Sequence, residues 1–210
     1  MKAMKRFCAL LLALMLLLSV QLPVFAAQPF TDVADSDWFH APVAWAYSNG
    51  IVSGTSASTF SPNATCTRGQ VATFLYAAAK GTPVQISNRF SDISPSDYYY
   101  KPVLWAVKSG ITLGTSSTSF SPNEGCTRGQ VVMFMWRGAG SPEPKSTYNK
   151  FSDVSSSDYY FKAVLWAAER GITGGTSDTT FSPDMQCTRG QIVTFLNRYY
   201  ASVRYTAAIT

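Results

Sequence analysis

The chain has 210 residues, of which 46% are hydrophobic and 14% charged, which excludes a disordered protein because apolar side chains suffice for a packed core. Lys and Arg outnumber Asp and Glu by 17 to 12, but three of the cations precede residue 7, in a segment that we expect to be removed. The remaining 14 cations against 12 anions exclude the strongly basic surface of a nucleic-acid-binding protein. With one histidine, the chain also offers little acid–base or metal chemistry, and we predict no catalytic site, no metal and no cofactor.

The first 26 residues have the composition of an export signal. Lys2, Lys5 and Arg6 precede an apolar run over residues 7–20, and small residues lead to a cleavage site after Ala26. The run is short for a bilayer span, which needs about 20 residues, and no second run follows. We therefore predict a secreted protein with no retained membrane helix.

Three copies of one unit fill the rest of the chain. We place them at residues 27–87, 88–147 and 148–210, the last with a short C-terminal tail. Each copy carries, in the same order, F-x-D, an aromatic pair, W-A, G-I, F-S-P and C-T-R-G-Q. Turn-rich linkers separate the copies.

Each unit is predicted to form a helix, a loop and a second helix. The first helix runs from about Phe39 to Asn49 and ends at Gly50, in the position where a left-handed residue closes a helix. The second begins at Thr67, whose spacing to Gln70 is that of a capping box. Two short helices bury little surface alone, so we predict a mainly α protein in which the three helix-loop-helix repeats share one core.

The T-R-G-Q segment at the start of each second helix is the first candidate site. A cation at the first helical position, as at Arg68, faces the positive end of the helix dipole and costs roughly 0.3–1 kcal/mol. Gly69 costs up to about 1 kcal/mol more in a helix interior, so the pattern suggests a requirement beyond folding. Free N–H groups beside a guanidinium, with no Cβ in the way at Gly69, would bind an anion, such as a carboxylate on a sugar. The alternative is that the arginines are solvated or paired with a nearby Asp.

Aromatic residues supply the second candidate feature, because rings stack on sugars and tyrosine adds a polar group. One ring of each aromatic set is expected in the core (Phe39, Tyr99 and Tyr160), as are the W-A tryptophans (Trp45, Trp105 and Trp166). The F-x-D aspartates are expected to cap a turn or to pair with an arginine, with a direct hydrogen bond to a sugar as the alternative (Asp32, Asp92 and Asp153). Catalytic carboxylates usually form one asymmetric pair, so this threefold repetition argues against an enzyme.

Three cysteines remain after the export segment: Cys66, Cys126 and Cys187. An odd number excludes a fully paired disulfide framework. Burial as small hydrophobes is the favoured interpretation. A three-thiolate metal site stays conceivable if symmetry gathers them, but no histidine or fourth thiol occupies a matching position.

The motifs described above resemble the S-layer homology (SLH) domain over nearly all of residues 30–200. The resemblance implies a pseudo-threefold prism whose inter-repeat grooves bind secondary cell wall polysaccharide, often pyruvylated, and so attach a protein to the bacterial cell wall. On this basis the expected glycan-binding residues are Arg68, Arg128, Arg189, Thr67, Thr127, Thr188, Gly69, Gly129, Gly190, Gln70, Gln130, Gln191, Trp38, Tyr98, Tyr159, Gly54, Gly114 and Gly175.

The chain departs from the family signature in one segment. SLH domains usually carry T-R-A-E where this chain has T-R-G-Q in every copy. Gln keeps the capping geometry but removes a carboxylate, and Gly loosens the helix start, so the glycan itself is left open. The alternative function is a protein–protein or surface-layer assembly module that self-associates through exposed aromatic residues.

Overall fold

A computed structural model describes residues 28–208, with the side chains of 204–208 left aside. The export segment predicted at 1–26 lies outside this range. The described chain contains six α-helices and no strand: α1 His40–Ser48, α2 Arg68–Ala78, α3 Tyr100–Lys108, α4 Arg128–Gly138, α5 Phe161–Glu169 and α6 Arg189–Ala208. This confirms the mainly α fold of three helix-loop-helix repeats. None of the described helices is long and apolar enough to cross a membrane.

The first helix of each repeat ends as predicted. α1 covers 40–48, against the expected 39–49, and Gly50 follows with φ +66°. The N–H of Ile51 donates to the Ala46 carbonyl at 2.8 Å, which satisfies an acceptor left open at the helix end. The same left-handed glycine ends α3 and α5, at Gly110 and Gly171.

The second helix of each repeat begins with the predicted capping box. The N–H of Gln70 donates to the Thr67 hydroxyl at 3.3 Å, and the Thr67 N–H donates to Oε1 of Gln70 at 3.1 Å. Both bonds recur at Thr127–Gln130 and Thr188–Gln191. The glutamines therefore perform the capping role of the family's usual glutamate without its charge.

The three repeats close into a ring. α2 packs on α3, α4 on α5, and α6 returns to pack on α1. Around the centre, the N–H of Cys66 donates to the Cys187 carbonyl, that of Cys126 to Cys66, and that of Cys187 to Cys126, at 2.9–3.0 Å. One hydrophobic cluster joins side chains of all three repeats, while a smaller one around Phe90 and Phe120 belongs mainly to the second. The prediction of a core shared by the three repeats is confirmed, and the smaller cluster is the one part that is separate from it.

The three cysteine side chains are fully buried in this centre, which confirms the interpretation as small hydrophobes. Burial raises the pKa of Cys66 and of Cys187 from 9.0 to about 12 and shifts that of Cys126 the same way, so the thiols stay protonated. Within residues 28–208 no group of His, Cys, Asp or Glu side chains is placed to hold a metal ion.

The F-x-D aspartates fasten the start of each repeat to its loop. The Asp32 carboxylate accepts from the N–H of Phe60 at 2.8 Å and from that of Ser61 at 2.7 Å. Ser61 has φ +58°, an unusual value for a side-chain-bearing residue, and these bonds hold it. Asp92 and Asp153 make the same bonds, which confirms turn capping over pairing with an arginine.

Of the W-A tryptophans, Trp45 and Trp166 are buried, whereas Trp105 is only partly covered, edge-on to Tyr76.

Candidate functional site

The T-R-G-Q arginines are buried, with 3–4% of their surface exposed at Arg68, Arg128 and Arg189. The Nε of Arg68 donates to the carbonyl of Phe120 in the second repeat at 2.9 Å, and its guanidinium lies over the rings of Phe120 and Phe134. Arg128 and Arg189 repeat the arrangement one repeat further round, on Phe181 and Phe60 respectively. The arginines are therefore neither solvated nor paired with an aspartate.

The amino ends of the second helices do not offer the free N–H groups that the sequence suggested. The N–H of Arg68 donates to the Glu124 carbonyl and that of Gly69 to the Pro122 carbonyl, both at 2.9 Å, while Gln70 donates to the cap. At the start of α4, the N–H groups of Arg128 and Gly129 donate to the carbonyls of Met185 and Pro183. At the start of α6, those of Arg189 and Gly190 donate to the carbonyls of Ala64 and Pro62. That part of the prediction is wrong: these donors join one repeat to the next, and only the guanidinium is left for a ligand.

The glycines of the T-R-G-Q segments serve the same joints. A Cβ on Gly69 would lie 2.9 Å from the Tyr99 ring, and one on Gly129 would lie 2.9 Å from the Tyr160 ring. At Gly190 the nearest atom is the Pro62 carbonyl oxygen, at 3.2 Å. The absence of a side chain thus lets the helix end approach the neighbouring repeat, and it does not open space for a ligand.

Two grooves between repeats gather half of the remaining candidate residues. The first groove, of about 340 Å³, is lined by Arg189 of the third repeat, Gly54 and Gln70 of the first, and Tyr98 of the second. The second groove, of about 390 Å³, is lined by the equivalent Arg68, Gly114, Gln130 and Tyr159. Each groove therefore draws on all three repeats.

A third groove, around Arg128, is expected from the repeat symmetry. Nη2 of Arg128 donates to the hydroxyl of Thr173, in the loop that corresponds to the walls of the other two grooves, at 3.4 Å. The guanidinium also lies over the Phe195 ring, as those of Arg68 and Arg189 lie over Phe134 and Phe74. By this equivalence we expect Gly175, Gln191 and Trp38 to line the third groove.

The outer ring of each aromatic pair is exposed, and the inner ring supports it. Trp38, Tyr98 and Tyr159 are 60–63% exposed, although their side chains are large and apolar. Each meets the next ring in sequence edge to face, with centroids 4.8–5.0 Å apart. Phe39 and Tyr99 are buried, as predicted, and Tyr160 is partly buried.

The groove glycines lie in crowded, tightly turned loops. A Cβ on Gly54 would meet two carbonyl oxygens at 2.2 and 2.4 Å, and Gly114 and Gly175 are as crowded and have φ of +89° and +100°. The loop can turn this tightly only without a side chain. The threonine caps, by contrast, line neither measured groove and act within the helix starts.

No carboxylate in the described part of the chain pairs directly with the buried arginines. Among residues 28–208 the ion pairs join His40 to Asp35 and Lys162 to Glu143, so none of the three buried arginines has a carboxylate within 4 Å. Burial lowers the pKa of each, because it disfavours the charged form, although Asp92, Asp153 and Asp32 lie near enough to Arg68, Arg128 and Arg189, respectively, to act to raise it. In the second groove Gln130 supplies only a neutral oxygen, which accepts from Nη1 of Arg68 at 3.2 Å.

Sequence reasoning missed part of the lining. The rings of Phe74 and Phe134 form the groove floor under the guanidinium, and Arg137 adds a second cation to the second groove. Phe74 lies on the apolar face of its helix and belongs to the core as well as to the lining of the first groove. Arg137 lies about one helical turn beyond Phe134, which is the sequence feature that marks it as a neighbour of the groove.

The S-layer homology domain matches this chain three times, at residues 29–72, 89–132 and 150–193, and the chain belongs to that family. It is 29% identical over 209 residues to an endoglucanase of Bacillus sp. (strain KSM-635), covering 90% of this chain and 22% of the relative. It is 27% identical over 146 residues to a cell surface protein of Thermoanaerobacter kivui, covering 67% and 19%. It is also 27% identical over 126 residues to the surface-layer 125 kDa protein of Lysinibacillus sphaericus, covering 60% and 10%. The chain thus spans at most about a fifth of the length of these relatives.

Proposed function

We propose that this chain binds an acidic secondary cell wall polysaccharide in its inter-repeat grooves and thereby anchors an exported protein to the cell wall. Family membership and the similarity to two surface proteins indicate a secreted protein at the cell surface, associated with the cell wall. The family is a binding and anchoring module, and the similarity to an endoglucanase covers only 22% of that enzyme.

One observation carries the proposal: a buried guanidinium without a carboxylate partner faces each measured groove, and an exposed ring stands at the same groove. A buried charge gains most from an opposite charge when no other group satisfies it. An acidic sugar supplies that charge, and its C–H face supplies a surface for the ring. A pyruvyl ketal, which places a carboxylate on a sugar, fits this chemistry.

Retention on purified Gram-positive walls tests the proposal. We expect the protein to sediment with intact wall and to stay in solution when hydrofluoric acid has stripped the secondary polysaccharide from it. Equal retention on both preparations would contradict polysaccharide binding. Oligomers that form without glycan, measured by light scattering on a sizing column, would instead favour the assembly module.

A further inference from the structure

The three grooves share one plan but differ in charge. The position nine residues after the T-R-G-Q arginine is Ala77 in α2, Arg137 in α4 and Arg198 in α6. Arg137 lines the second groove, and its Nη1 donates to the Ile111 carbonyl at 3.5 Å. Arg198 makes the matching bond to Ile172 at 3.3 Å. The first groove therefore contains one guanidinium, that of Arg189, whereas the second contains two. Arg128 and Arg198 are the equivalent two arginines for the third groove.

The buried arginines also differ in how far they are satisfied. Nη2 of Arg189 donates to the Ser53 carbonyl at 3.2 Å, and Nη2 of Arg128 donates to Thr173. Nη2 of Arg68 is buried and has no hydrogen-bond partner among the described residues. Leaving such a donor unpaired is unfavourable, the more so for a charged group, and a bound acceptor would recover that loss.

Arg68 and Arg137 bear on the same space. Both line the second groove, the larger of the two measured, together with Tyr159. Burial raises the pKa of Tyr159, as does the nearby carboxylate of Asp184, while both arginines act to lower it, as nearby cations do. The arginine with the unpaired nitrogen, the second cation and the exposed ring thus all line one groove.

We infer that the second groove is the strongest acidic-sugar site of this protein, with the sugar carboxylate accepting from Nη2 of Arg68 and Arg137 determining its preference for acidic sugars. This inference rests on the proposed function and deepens it, since it ranks the grooves and names a second recognising residue. The first groove, with one guanidinium already bonded, binds more weakly.

The test is a calorimetric titration with a methyl hexopyranoside carrying a 4,6-linked pyruvyl ketal, which presents one carboxylate. Arg137→Gln should weaken the tightest site about tenfold, because a carboxylate loses a charge-assisted partner. Arg137→Lys should recover part of the loss, since it restores the charge. Arg198→Gln is the matched control, as it removes the same type of carbonyl contact from the third repeat and should leave the tightest site within about twofold.

Equal losses in Arg137→Gln and Arg198→Gln, or no loss in Arg137→Gln, would overturn the ranking. Absence of saturable glycoside binding by a protein that still sediments with intact wall would overturn it as well. Failure of the proposed function looks different, because the unmodified protein would then be retained equally on intact and stripped wall.

Discussion

Replacing Arg68 by alanine is expected to lower the free energy of unfolding by about 2–3 kcal/mol. The change leaves the buried Phe120 carbonyl without the donor that lies 2.9 Å away, and removes the side chain that stacks on two rings. Relief of the buried charge offsets part of this cost. Urea denaturation followed by tryptophan fluorescence measures the difference.

The matched control is Arg170→Ala, an exposed arginine that also lies near a ring, that of Trp166. It should change the unfolding free energy by about 0.5 kcal/mol or less. Equal effects of the two substitutions would contradict the structural role of Arg68.

Alanine at all three buried arginines should cost about 6–9 kcal/mol, comparable to the whole stability of a typical domain, so the triple variant should largely unfold. Its loss of wall binding would therefore say nothing about recognition.

Alanine at Trp38, Tyr98 and Tyr159 together should abolish wall retention while the fold survives. These rings are 60–63% exposed, so their removal takes little from the core. Each ring is already held edge-on by its neighbour, which lowers the entropy cost of stacking on a sugar. A loss of about 1.4 kcal/mol per groove is tenfold in affinity, and the losses accumulate along a multivalent polymer. Sedimentation with intact wall and thermal unfolding of the same preparation measure both effects.

Tyr148→Ala provides the control for this variant, because Tyr148 is a 78% exposed ring in the linker and lines neither measured groove. It should sediment as the unmodified protein does. A triple variant that is still fully retained would place the glycan away from the aromatic side of the grooves. A triple variant that unfolds would contradict the conclusion that these rings lie outside the core.

Local sequence signals predicted the helices well because each depends on groups a few residues apart. Thr67 with Gln70 set a helix start, and Gly50 set a helix end. The shared core also followed, since short helices with apolar faces such as Val71 and Phe74 must find partners.

What the sequence could not reveal was which groups meet across repeats. The carbonyls that occupy the N–H groups of Arg68 and Gly69 lie more than 50 residues further along the chain. The prediction of an open anion site at the helix end failed for that reason, and the glycine that suggested ligand space proved to relieve a contact with Tyr99. The unpaired Nη2 of Arg68 is likewise a product of the closed ring, since equivalent arginines in the same motif are satisfied.

Masking the carboxylates of the isolated polysaccharide gives the most direct measurement of whether the buried guanidiniums recognise an acidic sugar. Carbodiimide coupling to ethanolamine turns each carboxylate into a neutral amide and leaves the sugar backbone intact, and polymer treated with ethanolamine alone is the control. The protein should bind the control polymer when it is immobilised and lose that binding when the carboxylates are masked. Equal binding to both polymers would contradict the account.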